Sequence, residues 1–325
     1  MKKNLFASIL TYPAPSANYR GESEENRTVL QKITRHNKEY AVISPEAIRN
    51  GLRETLRCYD EALCNRERLH NEEQIAVRFN GYPSPSSYID DYFLGYFVAD
   101  RKQIPDAIKK DSDFQFKRDS ILRNNLAMAL EPYQQDTLFT QSPLTMPSKD
   151  VKWQNAKSSA LLHRETSYTA FQFPFAINLN DCKLDDRKLG TQYRRWLSLL
   201  LKAFSELNGV AGNAARSYFE MAPSSIVLRL TVSLVAGYDT YGFRPDGTFP
   251  ELIEGILAGD YPGNEFVLGG EIVREKLDKA AIKQLEAKGV RLYRMANQAL
   301  DIICQDITGE GFLGEPRKRT KGKSA

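Results

Sequence analysis

Cysteine and histidine are scarce in this chain, four and three residues in 325. Cys58, Cys64, Cys182 and Cys304 contain no C-x-x-C, and His36, His70 and His163 stand far apart, so neither a structural zinc nor a disulfide framework is expected. No apolar run approaches the roughly 18 residues that a membrane span requires. The apolar stretch after Met1-Lys2-Lys3 is too short for a secretory signal, so a cytoplasmic protein with no membrane partner is expected. Phosphate loops of the form G-x-x-x-x-G-K-[ST], dinucleotide loops G-x-G-x-x-G, zinc helices H-E-x-x-H and nucleophile elbows G-x-S-x-G are all missing. The expectation is therefore no catalytic residue, no metal and no cofactor. Asp90-Asp91 and the acidic run Glu22, Glu24, Glu25 come nearest to a magnesium site. They read more simply as a strand-entry turn and a solvated loop.

Charge of one sign is also lacking over most of the chain. The formal net charge is +4, and residues 315–325, with five cations and one anion, account for all of it. Residues 1–314 are neutral, so contact with a polyanion must rest on local clusters rather than on a global field. The tail has no apolar anchor and reads as disordered, either a solubilising end or a non-specific phosphate contact. What is plentiful is core material: 42% of residues are hydrophobic, with 16 Tyr and 16 Phe.

The most informative segment is Val42 to Leu56. A short apolar strand meets Ser44, a good helix N-cap, and Pro45, which suits the first helical position. Ala47, Ile48, Leu52 and Leu56 then recur at helical spacing, with Arg49, Asn50 and Arg53 beside or opposite that stripe. Cations close to a helix N-terminus suit phosphate, although solvated arginines on an ordinary amphipathic helix fit the segment equally well.

Along the chain, residues 4–12 predict a strand, followed by a long polar loop, an extended Tyr40–Ile43 and the helix from Pro45 to about Leu63. Residues 64–87 are polar and turn-rich, like an insertion. Tyr88–Ala99 and Ile121–Leu130 read as strands, the latter entered through Lys117-Arg118. The clearest strand is 161–179, followed by an amphipathic helix over Gln192–Leu207, a strand over Ser225–Ser233, and helices near 249–257, 279–288 and 296–307. The order strand, helix, strand, strand, helix, strand predicts one decorated α+β domain of ferredoxin-like type.

Binding motifs outnumber catalytic ones. Gly212-Asn213-Ala214-Ala215-Arg216 is a small-residue loop where a sugar-phosphate chain can approach the backbone while Asn213 and Arg216 donate. Lys117, Arg118 and Arg123 add cations. Residues 133–159 hold Phe139, Leu144, Met146 and Trp153 among Lys149, Lys152 and Lys157, a combination suited to wedging between bases along a tracked backbone. Packing against the domain or against another copy accounts for the same residues.

These segments, taken in order over residues 4–235, resemble the Cascade backbone subunit of type I CRISPR systems in the Cst/DevR branch. The match comprises the Pro15–Arg20 loop after the first strand, Ile43–Arg53 against the family's I-S-x-Q-x-L-K-R-x-x-R, Tyr88–Phe97, Arg118–Leu122, Tyr168–Asn178 and Gly212–Arg216. Arg49 takes the position of the family's Lys and Arg53 that of its later Arg, while Asn50 stands where Arg is common.

The resemblance implies an RRM-like palm (1–57, 116–132 and 161–314), a finger insertion (58–115), a thumb β-hairpin (133–160) and a basic tail (315–325). It implies CRISPR RNA contacts by Asn18, Arg20, Arg49, Asn50, Arg53, Lys117, Arg118, Arg123, Asn213 and Arg216, with base displacement by Phe139, Leu144, Met146 and Trp153. The implied partners are CRISPR RNA, target DNA through the guide, further copies head to tail, a large subunit, a cap subunit at the guide 5′ end and a processing endonuclease. Related type III subunits cut RNA with an aspartate in the first loop. Here that loop carries glutamates, and cleavage is not carried over. A metal-dependent ribonuclease working through Glu22–Glu25 and a single-stranded RNA binder that never oligomerises remain as alternatives.

Overall fold

The computed structural model describes residues 3–24, 27–69, 76–110, 114–141, 161–210 and 219–313. Strand β1 (Asn4–Thr11) is followed by the short strands β2 (Ala14–Ser16), β3 (Tyr19–Glu24), β4 (Arg27–Leu30) and β5 (Lys32–Arg35), and β6 (Lys38–Ile43) leads into α1 (Pro45–Tyr59). An excursion holds the hairpin β7 (Arg66–Leu69) and β8 (Ala76–Phe79), helix α2 (Ile89–Leu94), β9 (Tyr96–Phe97), the single turn α3 (Asp106–Lys109) and β10 (Lys117–Arg118). The chain returns through β11 (Leu122–Asn124) and β12 (Ala127–Ala129). It goes out along β13 (Asp136–Gln141), comes back along β14 (Leu161–Thr169), and continues into β15 (Phe171–Asn178), α4 (Gly190–Ser205) and β16 (Pro223–Thr231). The C-terminal part adds α5 (Pro250–Ala258), β17 (Phe266–Gly270), α6 (Glu271–Arg274), α7 (Lys279–Ala287), β18 (Arg291–Tyr293) and α8 (Ala296–Thr308).

A mixed sheet of nine strands runs β18-β17-β16-β1-β15-β12-β6-β5, with β11 also on β15. Alternation along its central strands sets the layers. Leu5, Ala7 and Ile9 of β1, with Phe171, Phe173, Phe175 and Ile177 of β15, are buried in one core together with Leu52 of α1, Leu200 of α4 and Ile303 of α8. Phe175 stacks on Phe204 of α4 with centroids 4.1 Å apart, and each such ring removed from water stabilises the fold by about 1.5–3 kcal/mol.

The intervening side chains face a second layer. Ser8 Oγ donates to the Thr240 carbonyl at 2.9 Å, Gln172 Oε1 accepts from the Phe243 amide at 3.2 Å, and Leu10, Val227, Phe249 and Phe266 share a second core. With cover on both faces, β16 is buried along nearly its whole length, which is why Ile226-Val227-Leu228 reads as a run rather than an alternation.

Several expectations are corrected. The polar stretch after β1 is a set of paired strands. β5 and β6 close over His36 and Asn37 at φ +50° and +59°, the two-residue turn geometry that matches strand twist. Within 88–99 a strand forms only at Tyr96–Phe97, while Ile89–Leu94 is helical: Ile89, Tyr92 and Phe93 fall at helical spacing and are all buried, an apolar run that periodicity cannot tell from a strand. The span 161–179 breaks at Ala170 into two strands serving different sheets, β14 pairing with β13, β2 and β4 and β15 joining the main sheet. The strand expected over 121–130 is likewise two short ones.

Candidate nucleic-acid interface

Helix α1 starts where the sequence placed it. Ser44 Oγ accepts the Ala47 N–H at 3.2 Å, and Ile48, Leu52 and Leu56 are buried against the sheet. Its two arginines are engaged by protein. Arg49 donates from Nε to Asn124 Oδ1 at 2.9 Å and from Nη1 and Nη2 to the Leu94 and Leu122 carbonyls, each at 3.3 Å. Asn124 Nδ2 donates back to the Pro45 carbonyl at 3.2 Å, so one guanidinium ties α1, α2 and β11 together. Burial lowers the Arg49 pKa, opposed by Glu46 and reinforced by Arg66.

Arg53 is 8% exposed, so the reading of α1 as a helix with solvated arginines does not hold for it. Its Nη1 donates to Asn50 Oδ1 at 2.7 Å, while Nε lies 3.4 Å from Asp90 Oδ2 without the alignment of a hydrogen bond. Arg66 reaches Asp90 at 3.1 Å and Asp91 at 3.2 Å, and Asn65 Nδ2 donates to Asp91 at 2.9 Å. Two carboxylates and two guanidiniums thus balance inside the protein. Burial, with the like charge of Arg66, pushes Arg53 down to about 10. Burial and the neighbouring Asp90 raise Asp91. Asp90-Asp91 is therefore neither a strand-entry turn nor an open magnesium site, because its oxygens are taken by Asn65, Arg66 and the Ser84 amide. Among the described residues no group of three or more His, Cys, Asp or Glu is placed to hold a metal ion.

Asn50 positions Arg53. Asn18 Nδ2 donates to Gln31 Oε1 and to the Val42 carbonyl, both at 3.1 Å, which fastens the segment after β2 to β6. The exposed cations lie next door. Arg123 of β11 and Lys117 of β10 face solvent, Lys117 pairing with the equally exposed Asp119 at 3.3 Å. Arg118 is half-buried, its guanidinium 5.3 Å over the Tyr92 ring, and its Nε has no hydrogen-bond acceptor among the described residues. A cavity of about 250 Å³ opens there, lined by Gln115, Arg118, Lys183 and Tyr193 among others. The close approach of Gly51 to Val210, where a Cβ would lie 2.5 Å from Cγ2, brings the end of the 207–210 segment against α1.

The side chain of Arg20 lies outside the described residues, as do Asn213, Arg216, Leu144, Met146 and Trp153. Phe139 is described: it stands on β13, 57% exposed, edge-on to His163 with centroids 5.7 Å apart. The structure therefore brings Arg49, Arg53, Arg118 and Arg123 into one neighbourhood but gives them different surroundings. Sequence reasoning missed Asn124 and Arg66. Nothing marks Asn124 beyond its place in a β-prone run. Arg66 had a signal, since an Asp-Asp pair on an apolar stretch needs cations once it is buried.

With this geometry in place, the chain can be compared with known proteins. The CRISPR-associated protein Cas7/Cst2/DevR of Myxococcus xanthus (strain DK1622) is 29% identical over 287 residues, 84% of this chain and 88% of that protein. The chain is similar to that protein along most of its length. The resemblance read from the Pro15–Arg20, Ile43–Arg53 and later segments is thereby borne out at the level of the family. No family model matches the chain. Two solved structures share its fold: a "CRISPR RNA-guided surveillance complex, pre-nicking" chain at TM-score 0.60 and 11% identity, covering 94% of this chain and 100% of its own, and a "CRISPR RNA-guided surveillance complex" chain at 0.54 and 13%, covering 93% and 99%. Among the described residues no helix is long and apolar enough to cross a membrane.

Proposed function

We propose that this protein is a non-catalytic backbone subunit of a type I CRISPR effector complex, binding CRISPR RNA, stacking head to tail along it and presenting the spacer for pairing with target DNA. The observation that carries this is likeness along the whole chain: kinship with a Cas7/Cst2/DevR protein over 84% of the residues and a shared fold with surveillance-complex chains over 94%.

Support for a ferredoxin-like palm comes from the order β16-β1-β15-β12, antiparallel throughout, with α1 and α4 packed into one core with β1 and β15. In this reading the excursion over 58–115 is the finger, and β13 and β14 are the base of the thumb. Lys117, Arg118 and Arg123 contact guide phosphates directly, joined by Arg20, Asn213 and Arg216. Asn18, Arg49, Asn50 and Arg53 shape the surface those cations present, with Arg49 offering the guide any donor its three protein acceptors leave over. Leu144, Met146 and Trp153 act with Phe139 on the bases. The complex also holds a large subunit, a cap subunit at the guide 5′ end and a processing endonuclease.

The test is to purify the protein without nuclease treatment and sequence the accompanying RNA, expecting repeat-spacer transcripts. Random cellular RNA would favour a general RNA binder. Metal-dependent cutting of bound RNA, abolished by Glu22→Gln or Glu25→Gln, would make it a ribonuclease instead.

A further inference from the structure

The ribbon formed by β9 and β10 has two unlike faces. Gly95, at φ +66°, turns the chain out of α2 at a point where a Cβ would lie 2.4 Å from the Arg118 carbonyl, so backbone fixes the entry to the ribbon. Tyr96 then pairs with Arg118, and Phe97 with Lys117, in antiparallel register. The Val98 amide adds a rung by donating to the Phe116 carbonyl at 2.8 Å. Successive side chains point to opposite faces. Tyr96 is 6% exposed and the Arg118 guanidinium lies over the Tyr92 ring, so that pair faces the protein. Phe97 is 61% exposed and the Lys117 side chain 66%, and they share the outer face as cross-strand neighbours with Cβ atoms about 5 Å apart.

A single apolar residue on a surface needs no explanation in itself. Phe97 stands out by what surrounds it. Its cross-strand neighbour is a cation whose carboxylate partner, Asp119, is itself exposed, a pairing that contributes little and exchanges readily for a phosphate. Arg123 is exposed on β11, the next strand. One guanidinium sets both strands: Arg49 Nη1 holds the Leu94 carbonyl ahead of Phe97 and Nη2 the Leu122 carbonyl ahead of Arg123, each at 3.3 Å. An exposed ring on a fixed backbone beside cations suits single-stranded nucleic acid, whose phosphates take the cations while a base stacks on the ring. A protein surface covering Phe97 would instead have to take Lys117 and Asp119 out of water with it.

We infer that Phe97 is a stacking platform for one base of the bound RNA strand, with Lys117 on a phosphate next to that base. The inference rests on the RNA-binding reading above and adds a residue to it. A single-stranded RNA too short for two subunits is titrated against wild type, Phe97→Ala, Phe97→Leu and Phe97→Trp at several salt concentrations. Phe97→Ala and Phe97→Leu are each expected to lose about fivefold or more in affinity, with the unfolding midpoint kept and the salt slope unchanged, because stacking releases no counterions. Phe97→Trp is expected to keep wild-type affinity, and its added indole fluorescence, taken as the difference from wild type, to be quenched by RNA. Phe97→Ala within twofold of wild type, or Phe97→Leu binding like wild type, overturns the inference while the RNA-binding reading stands. If Phe97→Ala binds the short RNA normally yet no longer adds subunits on longer RNA, the ring meets protein instead and the inference falls too. A wild-type protein with no affinity for single-stranded RNA overturns both.

Discussion

Helix α1 and the strands β10–β11 carry the same kinds of side chain and use them differently. On α1, Arg49 and Arg53 are held by Asn124, two carbonyls, Asn50 and Asp90; on β10–β11, Lys117 and Arg123 face water. A cation near a helix N-terminus is thus not in itself a phosphate contact. What decides its role is whether carboxylates and carbonyls elsewhere in the chain reach it first. The inner arginines fix where the outer ones stand, because Arg49 bonds directly to β11 beside Arg123.

The sharpest way to break this contrast is at the buried quartet. Replacing Arg53 by Ala leaves Asp90 and Asp91, both essentially inaccessible, sharing one guanidinium. Removing one partner of a buried pair costs about 3–5 kcal/mol, so the midpoint of urea unfolding should fall steeply. Replacement of Asp90 by Asn should fall in the same direction. A loss below about 1 kcal/mol in either would show that the pair is solvated and that α1 is an ordinary surface helix.

Arg49→Ala comes next. Hydrogen bonds from a charged group contribute roughly 1.5–3 kcal/mol each when buried, but Arg49 is only half-buried, so a total near the lower bound, about 1.5 kcal/mol, is expected. Arg49→Lys should not restore it, since an ammonium cannot hold Asn124 and two carbonyls in one plane. Full recovery by Lys, in stability and RNA binding alike, would mean that charge rather than geometry matters at this position.

The same contrast separates what could be read in the sequence from what could not. The α1 boundary, the alternation of β15 and the amphipathic α4 followed from local rules, as Ser44, the Phe171/Phe173/Phe175 series and Leu197/Leu200/Leu201 bear out. The family followed from the order of segments. Arg53 could not be assigned, because its burial depends on Asp90, thirty-seven positions away and itself read on a strand rather than a helix. Nor could the second layer be foreseen. Ser8 and Gln172 look like solvent-facing positions until Thr240 and Phe243 fold over them.

On the outer side, Lys117→Ala and Arg123→Ala should change stability by no more than about 0.5 kcal/mol and weaken RNA binding alike for all sequences. Each lost phosphate contact should flatten the dependence of log affinity on log salt by about 0.7 for single strands. An unchanged slope with an intact fold would return the phosphate role to the inner arginines.

The smallest effect belongs to residues 315–325, which carry the whole formal net charge and no Val, Ile, Leu, Met or aromatic side chain. A charged surface interaction of theirs would be screened over about 8 Å at physiological ionic strength. Deleting them should leave the unfolding midpoint and RNA-dependent stacking unchanged and reduce affinity only at low salt, for all sequences equally. Binding titrations at two ionic strengths, with light scattering to follow assembly, decide the matter. Should truncation after Gly314 abolish stacking at physiological salt, the tail is a docking element, and its charge matters more here than the comparison of α1 with β10–β11 allows.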